Sequence, residues 1–160
     1  SQTDCEPDFV VRGCKIINNR ARGLLLGSRG KVIIENNYFH TPGTAITMEG
    51  DGSYWFEDSA CEDVTIRNNV FEDCVHGSIV WGSAAISVST RIPDKENSRY
   101  HKNIVIEGNT FKSFDPRAIY LYCVDGVTIR NNTFISTEDY PCPGPAEPIQ
   151  TPYCDNVTIR

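Results

Sequence analysis

The sequence has no apolar run approaching the roughly 20 residues that a membrane-spanning helix requires, which argues against a membrane partner. It also lacks a basic excess. Fifteen Lys and Arg stand against 21 Asp and Glu, for a net charge of −6 and a pI near 5.0. A nucleic-acid or phosphate-binding protein would carry a basic footprint instead. No CxxC pair and no Cys/His spacing points to zinc, so neither a metal nor another cofactor is expected. Three histidines are scattered at His40, His76 and His101, without a Ser or Cys partner pattern that would suggest nucleophilic catalysis. Surface or packing roles are expected for them. No signal peptide opens the chain, and it stops inside a repeat. A partial piece of a longer molecule is therefore expected.

Seven cysteines in 160 residues suit an oxidising compartment, and a secreted or periplasmic location is expected. Cys142 and Cys154 flank a Pro-rich loop that a disulfide would staple, and Cys61 and Cys74 flank one repeat.

What the sequence does contain is a phrase: hydrophobic, any, hydrophobic, any, Asn, Asn, any, Phe. It appears as VIIENNYF (32–39), VTIRNNVF (64–71), IVIEGNTF (104–111) and VTIRNNTF (127–134). A fifth copy, VTIR (157–160), stops before its Asn pair, and CKIINN (14–19) reads as a weaker one. A unit that is half strand and half turn cannot bury its own apolar side chains. It must stack on copies of itself, so the chain is expected to be a solenoid. Ile34, Ile66, Ile106, Ile129 and Ile159 fall 32, 40, 23 and 30 residues apart. The shortest step is close to one bare coil, and the longer ones carry inserted loops, which in repeat proteins gather on one face.

Within each unit the VTIR-like strand points Val64 and Ile66 inward and Thr65 and Arg67 outward. Asn tolerates left-handed backbone angles and suits the turn, and stacked Asn side chains can bond up the solenoid. The outward residues Ile17, Glu35, Arg67, Glu107, Arg130 and Arg160 form a stack, four of whose members alternate in sign as a register-fixing ion ladder. A second strand follows: AITME (45–49), AISVS (85–89) and AIYLY (118–122), with LLL (24–26) as an earlier version. Ile46, Met48, Ile86, Val88, Ile119 and Leu121 point in. Thr47, Glu49, Ser87, Ser89, Tyr120 and Tyr122 point out, which makes this polar and aromatic face the candidate sugar groove. The polar segment 92–103 is expected to wall it. Asn131 and Asn156 lie in N-x-T sequons but on repeat positions, where a structural role is expected.

After the second strand of the second coil comes MEGDGSYWFEDSACED, with Glu49, Asp51, Glu57, Asp58, Glu62 and Asp63 around Tyr54, Trp55 and Phe56. Carboxylates beside exposed rings suit a glycosidase. One acid protonates the leaving oxygen, one base activates water, and a flat ring packs on the sugar. A solvated acidic loop is the plain alternative. Arg20 and Arg22, two apart in NNRARG, are placed to bind substrate hydroxyls or to hold Asp51 ionised, or else form a structural ion pair. Arg91 follows the second strand of the next coil and can face the same groove.

The stretch 17–74 resembles glycoside hydrolase family 110, exo-acting α-galactosidases that remove terminal α-1,3-linked galactose, including the blood group B determinant. NNRARG, GKVIIENN-F, G-AI, Gly50-Asp51, the WFE of 55–57 and DVTIRNN-F carry the resemblance. The family continues with Ser-Gly after WFE, where this chain has Asp58-Ser59-Ala60, and its members are several times longer. The resemblance implies an all-β right-handed parallel β-helix and metal-independent, inverting hydrolysis of a galactose-terminated oligosaccharide or polysaccharide. It implies Asp51 and Glu57 as the acid/base carboxylates, with Arg20, Arg22 and Trp55 shaping the galactose pocket; Glu49, Asp58 and Arg91, from their place in the acidic loop and beside the groove, are expected to bind substrate as well. Two other readings suit such a solenoid: a Ca²⁺-dependent polysaccharide lyase or uronate epimerase, and a non-catalytic glycan-binding β-helix.

Overall fold

The computed structural model describes residues 6–56, 58–77 and 79–160. Each repeat folds as one coil of three short strands. β1 (Phe9–Arg12), β2 (Lys15–Ile17) and β3 (Arg22–Leu25) form the first coil. β4 (Lys31–Glu35), β5 (Tyr38–His40) and β6 (Thr44–Met48) form the second. The third has β7 (Asp63–Arg67), β8 (Val70–Glu72) and β9 (Ile86–Val88), and the fourth β10 (His101–Glu107), β11 (Thr110–Ser113) and β12 (Ile119–Leu121). β13 (Val124–Arg130), β14 (Thr133–Ser136) and β15 (Ile149–Gln150) make the fifth, and β16 (Asp155–Ile159) belongs to a sixth. Corresponding strands pair in parallel into three sheets, ordered β1-β4-β7-β10-β13-β16, β2-β5-β8-β11-β14 and β3-β6-β9-β12-β15. The chain is a parallel β-helix.

The Val and Ile of the first sheet, the Phe of the second and the Ile/Met/Val/Leu of the third meet in one core. Val32, Ile34, Phe39, Ile46, Met48, Ile66, Ile86, Ile106 and Leu121 are fully buried. Each such side chain contributes about 1.5–3 kcal/mol relative to exposure. Phe39, Phe71, Phe111 and Phe134 stack coil on coil, with ring centroids 5.0, 4.8 and 5.3 Å apart.

The Asn pair divides its labour. The first position turns the chain with positive φ at Asn36, Asn68 and Asn131, and Gly108 serves there in the fourth coil. The second position is a ladder. Asn37 Nδ2 donates to Asn69 Oδ1 (3.0 Å), Asn69 Nδ2 to Asn109 Oδ1 (3.0 Å) and Asn109 Nδ2 to Asn132 Oδ1 (3.1 Å). Each Oδ1 also accepts the backbone N–H of the rung before it. Asn131 has the turn role expected of it, and Asn156 donates to Asp125 Oδ1 at 2.7 Å.

The first coil corrects the reading of CKIINN. Its first strand is β1, with Val11 opposite Ile34 and Arg12 opposite Glu35. Residues 15–17 belong to the second sheet, with Ile16 opposite Phe39. Gly13 and Cys14 hold the place of the Asn pair: Gly13 has φ +67°, and Cys14 N–H donates to Asn37 Oδ1. Arg12, not Ile17, therefore begins the outward stack. Glu35 accepts Arg12 Nε and Arg67 Nε at 2.5 Å each, and Glu107 accepts Arg130 at 2.7 Å. The two arginine hydrogen bonds, from Arg67 first, hold the Glu35 carboxyl below its usual range.

The disulfide expectation is also corrected. The six described cysteines are free thiols. Cys61 and Cys74 are buried core residues whose Sγ atoms lie near the carbonyls of Leu26 (3.5 Å) and Phe39 (3.6 Å), and burial raises both thiols to a pKa of about 11. Cys142 is exposed and Cys154 packs beside Leu121 and Val124.

Candidate functional site

The outward face of the third sheet carries the candidate site. Thr47, Ser87 and Tyr120 are register partners on β6, β9 and β12. Thr47 and Ser87 point outward as their alternation requires, yet each is only 3% exposed. The segment inserted between β8 and β9 folds over them, and Gly82 packs against Thr44. What remains open is a cleft of about 150 Å³ lined by Thr47, Glu49, Ser87 and Ser89 from the sheet, Gly82 and Ser83 from the overlying segment, and Arg91 at its end.

Glu49 puts the carboxylate into this cleft. Its side chain lies 3.6 Å from Arg22 Nη2. Beneath it, His101 is buried and neutral. His101 Nδ1 accepts the Cys61 N–H at 3.1 Å, so Nε2 carries the proton and donates to the Glu49 carbonyl, also at 3.1 Å. Burial drops the His101 pKa to about 4. The next residue must be glycine. Gly50 has φ +69°, and the Tyr100 ring stands where a side chain would begin.

Asp51 is 4% exposed and held by four donors. Its Oδ1 accepts the N–H groups of Ser53 and Tyr54 (both 2.8 Å) and the Ser53 hydroxyl (3.2 Å), and its Oδ2 accepts the Trp55 N–H (3.1 Å). These bonds, led by Ser53 N–H, lower its pKa to about 2, as amide donors to a carboxylate do. Arginine therefore does not hold Asp51 ionised, as one reading of NNRARG had it; backbone amides do. Arg22 pairs with Glu49 instead, and the Arg20 guanidinium stacks on Trp81, 5.5 Å from its ring centre. Asp51 pairs with Arg91 as a single parallel bridge: Arg91 N–H donates to Gly50 O, and Gly52 N–H to Arg91 O.

The turn that Asp51 fixes projects Tyr54, Trp55 and Phe56 into solvent, with Trp55 64% exposed and edge-on to Tyr54. Asp58 has φ +68° and lies against the backbone of Gly27 in the first coil. Glu57 lies outside the described residues. The structure thus brings Glu49 and Arg91 to one cleft, pairs Arg22 with Glu49, sets Asp51 beside Arg91, and places Asp58 toward the neighbouring coil. Trp81 escaped the sequence reading, whereas His101 has the packing role expected of it, with partners the sequence did not reveal. Trp81 belongs to no repeat, and its one clue was an aromatic within the 40-residue step. His101 shows its role only once β10 lies under Glu49.

The family described as periplasmic copper-binding protein (NosD) matches residues 43–144. An α-1,3-galactosidase B of Bacteroides thetaiotaomicron is 42% identical over 158 residues, 97% of this chain and 26% of that protein. An α-1,3-galactosidase A of Shewanella woodyi is 37% identical over 85% of this chain and 22% of its own length. An α-1,3-galactosidase B of Akkermansia muciniphila is 34% identical over 98% and 20%. The chain spans a fifth to a quarter of the length of these relatives. It belongs to the NosD family and stands with the α-1,3-galactosidases, as the resemblance to glycoside hydrolase family 110 implied.

Proposed function

We propose that the third-sheet cleft binds a terminal α-1,3-linked galactose and that the protein to which these coils belong hydrolyses it with inversion. The observation that carries this reading is a small polar cleft lined by Glu49 and Arg91, with Arg22 paired to the Glu49 carboxylate, in a chain matched along nearly its whole length by proteins named α-1,3-galactosidases. Arg22, Glu49 and Arg91 bind galactose hydroxyls. Trp55 supplies a flat apolar face, and Arg20 steadies the cleft wall through Trp81.

An inverting glycosidase needs one protonated and one ionised carboxyl group about 6.5–9.5 Å apart. Asp51, with a pKa of about 2, is ionised at any pH near neutrality. Ionisation excludes it as the proton donor, so that role is assigned to Glu57, while Asp51, its oxygens taken by the 53–55 turn, fixes the loop that carries Trp55. Asp58 completes the acidic side of the loop. A periplasmic or secreted setting agrees with the family's description, and no described helix is long and apolar enough to cross a membrane.

The family's description also names copper, and a calcium-dependent lyase would need clustered carboxylates. The described residues fit neither, because no three His, Cys, Asp or Glu side chains among them converge. His101 spends both ring nitrogens on the backbone, and His40 and His76 each spend Nδ1 on a carbonyl.

The test is proton NMR of galactose-α-1,3-galactose with the protein, in EDTA. Early β-galactose is the expected product, and Asp51→Asn and Glu57→Gln should each abolish its release. Early α-galactose, an unsaturated sugar, or no release from a folded protein carrying all its coils would sink the proposal.

A further inference from the structure

A second, larger depression adjoins the first. It is an open cleft of about 580 Å³ between Tyr54 and Ser53 on one side and the segment 92–96 on the other. Arg91 lines both clefts. The polypeptide edges that join them are hydrogen-bonded through Gly50, Gly52 and Arg91, so the two lie in a fixed relation.

Each wall of the larger cleft is anchored. On the near side, the Asp51 carboxylate takes the Tyr54 N–H at 2.8 Å, and this holds the base of a ring that is itself 69% exposed. On the far side, the single 3-10 turn Lys95–Asn97 is fastened to the fourth coil. Tyr122 Oη donates to Glu96 Oε1 at 2.6 Å, and Lys95 Nζ sits 5.0 Å above the Tyr122 ring. Arg99, at the end of the same segment, reaches Asp155 at 2.6 Å. The wall thus stands built before anything binds, which lowers the ordering cost of a ligand.

The chemistry of the lining selects the ligand class. Arg91 and Lys95 are offset by Asp94 and Glu96, so the cleft has no net charge to attract an anion. It offers an apolar lining from Ile92 and Pro93, one large exposed ring at Tyr54, and polar groups at hydroxyl scale from Ser53, Arg91 and Asp94. That combination suits a neutral sugar, whose ring hydrogens pack on an aromatic face and whose hydroxyls both donate and accept.

We infer that the larger cleft is a second sugar site: it holds the neutral sugar on the reducing side of the terminal galactose, with Tyr54 as the residue that stacks on it. This rests on the reading of the smaller cleft as the galactose site. The smaller cleft has room for little beyond one ring, and the larger begins at the residue where the smaller ends. A glycan running through both passes Arg91 at the linkage between its two sugars. The galactose is then read together with its neighbour, which makes Tyr54 a specificity-determining residue for chain-linked galactose.

Titration calorimetry with galactose and with galactose-α-1,3-galactose tests this, with Glu57→Gln present throughout so that the disaccharide is not cleaved; the unaltered protein is then the one that keeps Tyr54. In the unaltered protein the disaccharide should bind about tenfold more tightly than galactose. In Tyr54→Ala the ratio of the two affinities should fall to near one, and Tyr54→Phe should restore it. Because Tyr54 is exposed, the alanine variant folds, and a far-ultraviolet spectrum checks that. Equal affinities in the unaltered protein, or a ratio that survives Tyr54→Ala, overturns the second site while leaving the galactose cleft standing. Failure of both sugars to bind overturns the galactose cleft and the second site together.

Discussion

Replacing Asn69 by Ala removes the middle rung of the ladder that joins the coils. Asn69 is 1% exposed. Its Oδ1 accepts from Asn37 N–H and Asn37 Nδ2, both at 3.0 Å. Its Nδ2 donates to Ile34 O at 2.9 Å and to Asn109 Oδ1 at 3.0 Å. After truncation, Asn37 Nδ2 keeps Val11 O and Asn109 Oδ1 keeps Asn69 N–H. The buried Asn37 N–H, however, loses its acceptor. A buried donor left unsatisfied costs about 1–3 kcal/mol, and each further lost hydrogen bond about 0.5–1.5 kcal/mol net. With three further bonds lost, the expected loss is about 2.5–7.5 kcal/mol, a large share of a single domain's stability.

Asn132→Ala is the internal control. Asn132 occupies the same register one coil beyond Asn109 and accepts the same two bonds, but it is half-exposed, so water replaces part of what is lost. Its cost should be about half that of Asn69→Ala. Urea unfolding followed by circular dichroism measures both, with an unchanged m-value as the sign that only stability has moved. Asn69→Ala costing under about 1 kcal/mol, or no more than Asn132→Ala, would refute the ladder as the principal joint between coils.

Three other outcomes follow from buried or fixed groups. His101, with its pKa lowered to about 4 against an unfolded value near 6.5, binds fewer protons folded than unfolded between those pH values; stability should fall as pH drops through that window, by about 3 kcal/mol in all. Urea titrations from pH 7 to 4 should show this slope, and it should vanish in His101→Gln. Among the described cysteines, Cys14 and Cys142 should react promptly with a thiol reagent, whereas Cys61 and Cys74, raised to about 11 by burial, should react only on unfolding; prompt labelling of Cys61 would contradict the packing. Asp51→Asn keeps an acceptor for Ser53 and Tyr54 but loses the one for Trp55, so Trp55 fluorescence should shift modestly in Asp51→Asn and far more in Asp51→Ala, and equal shifts would argue against the carboxylate as the clamp of that loop.

The solenoid was legible because four copies of one phrase carry both its strand alternation and its turn. The first coil was not, because Gly13 and Cys14 do the turn's work without the Asn signature, while Asn18 and Asn19 display that signature at a different corner. Glycine reaches positive φ as readily as Asn, and Cys14 offers only its backbone N–H to the ladder, so composition hides the equivalence. In the site, Glu49, Asp51 and Arg91 were visible as groups near one groove. What each arginine touches was not, since Arg20 meets Trp81 across two coils and Arg22 meets Glu49 across one. Such contacts depend on how inserted segments fold back, which no repeat period encodes. The disulfide pairings misled for a related reason: Cys61 and Cys74 fill core positions as small apolar side chains.

The ladder also explains why the site sits on the third sheet. Between the first and second sheets the turn is two residues long in every described coil: 13–14, 36–37, 68–69, 108–109 and 131–132. An insertion there would pull an Asn out of reach of the Oδ1 and N–H groups above and below it, and would break two rungs at once. Among the described residues, the corners at either end of the third-sheet strands carry no such ladder. The chain accordingly places its long segments there: 49–62 after β6, 73–85 before β9, 89–100 after β9 and 137–148 before β15. Those segments roof Thr47 and Ser87, carry Asp51, Trp55 and Trp81, and raise the wall at Lys95 and Glu96. Loops can vary only where the stacking does not forbid it, so the corner that binds coil to coil also determines which face is free to acquire a binding cleft.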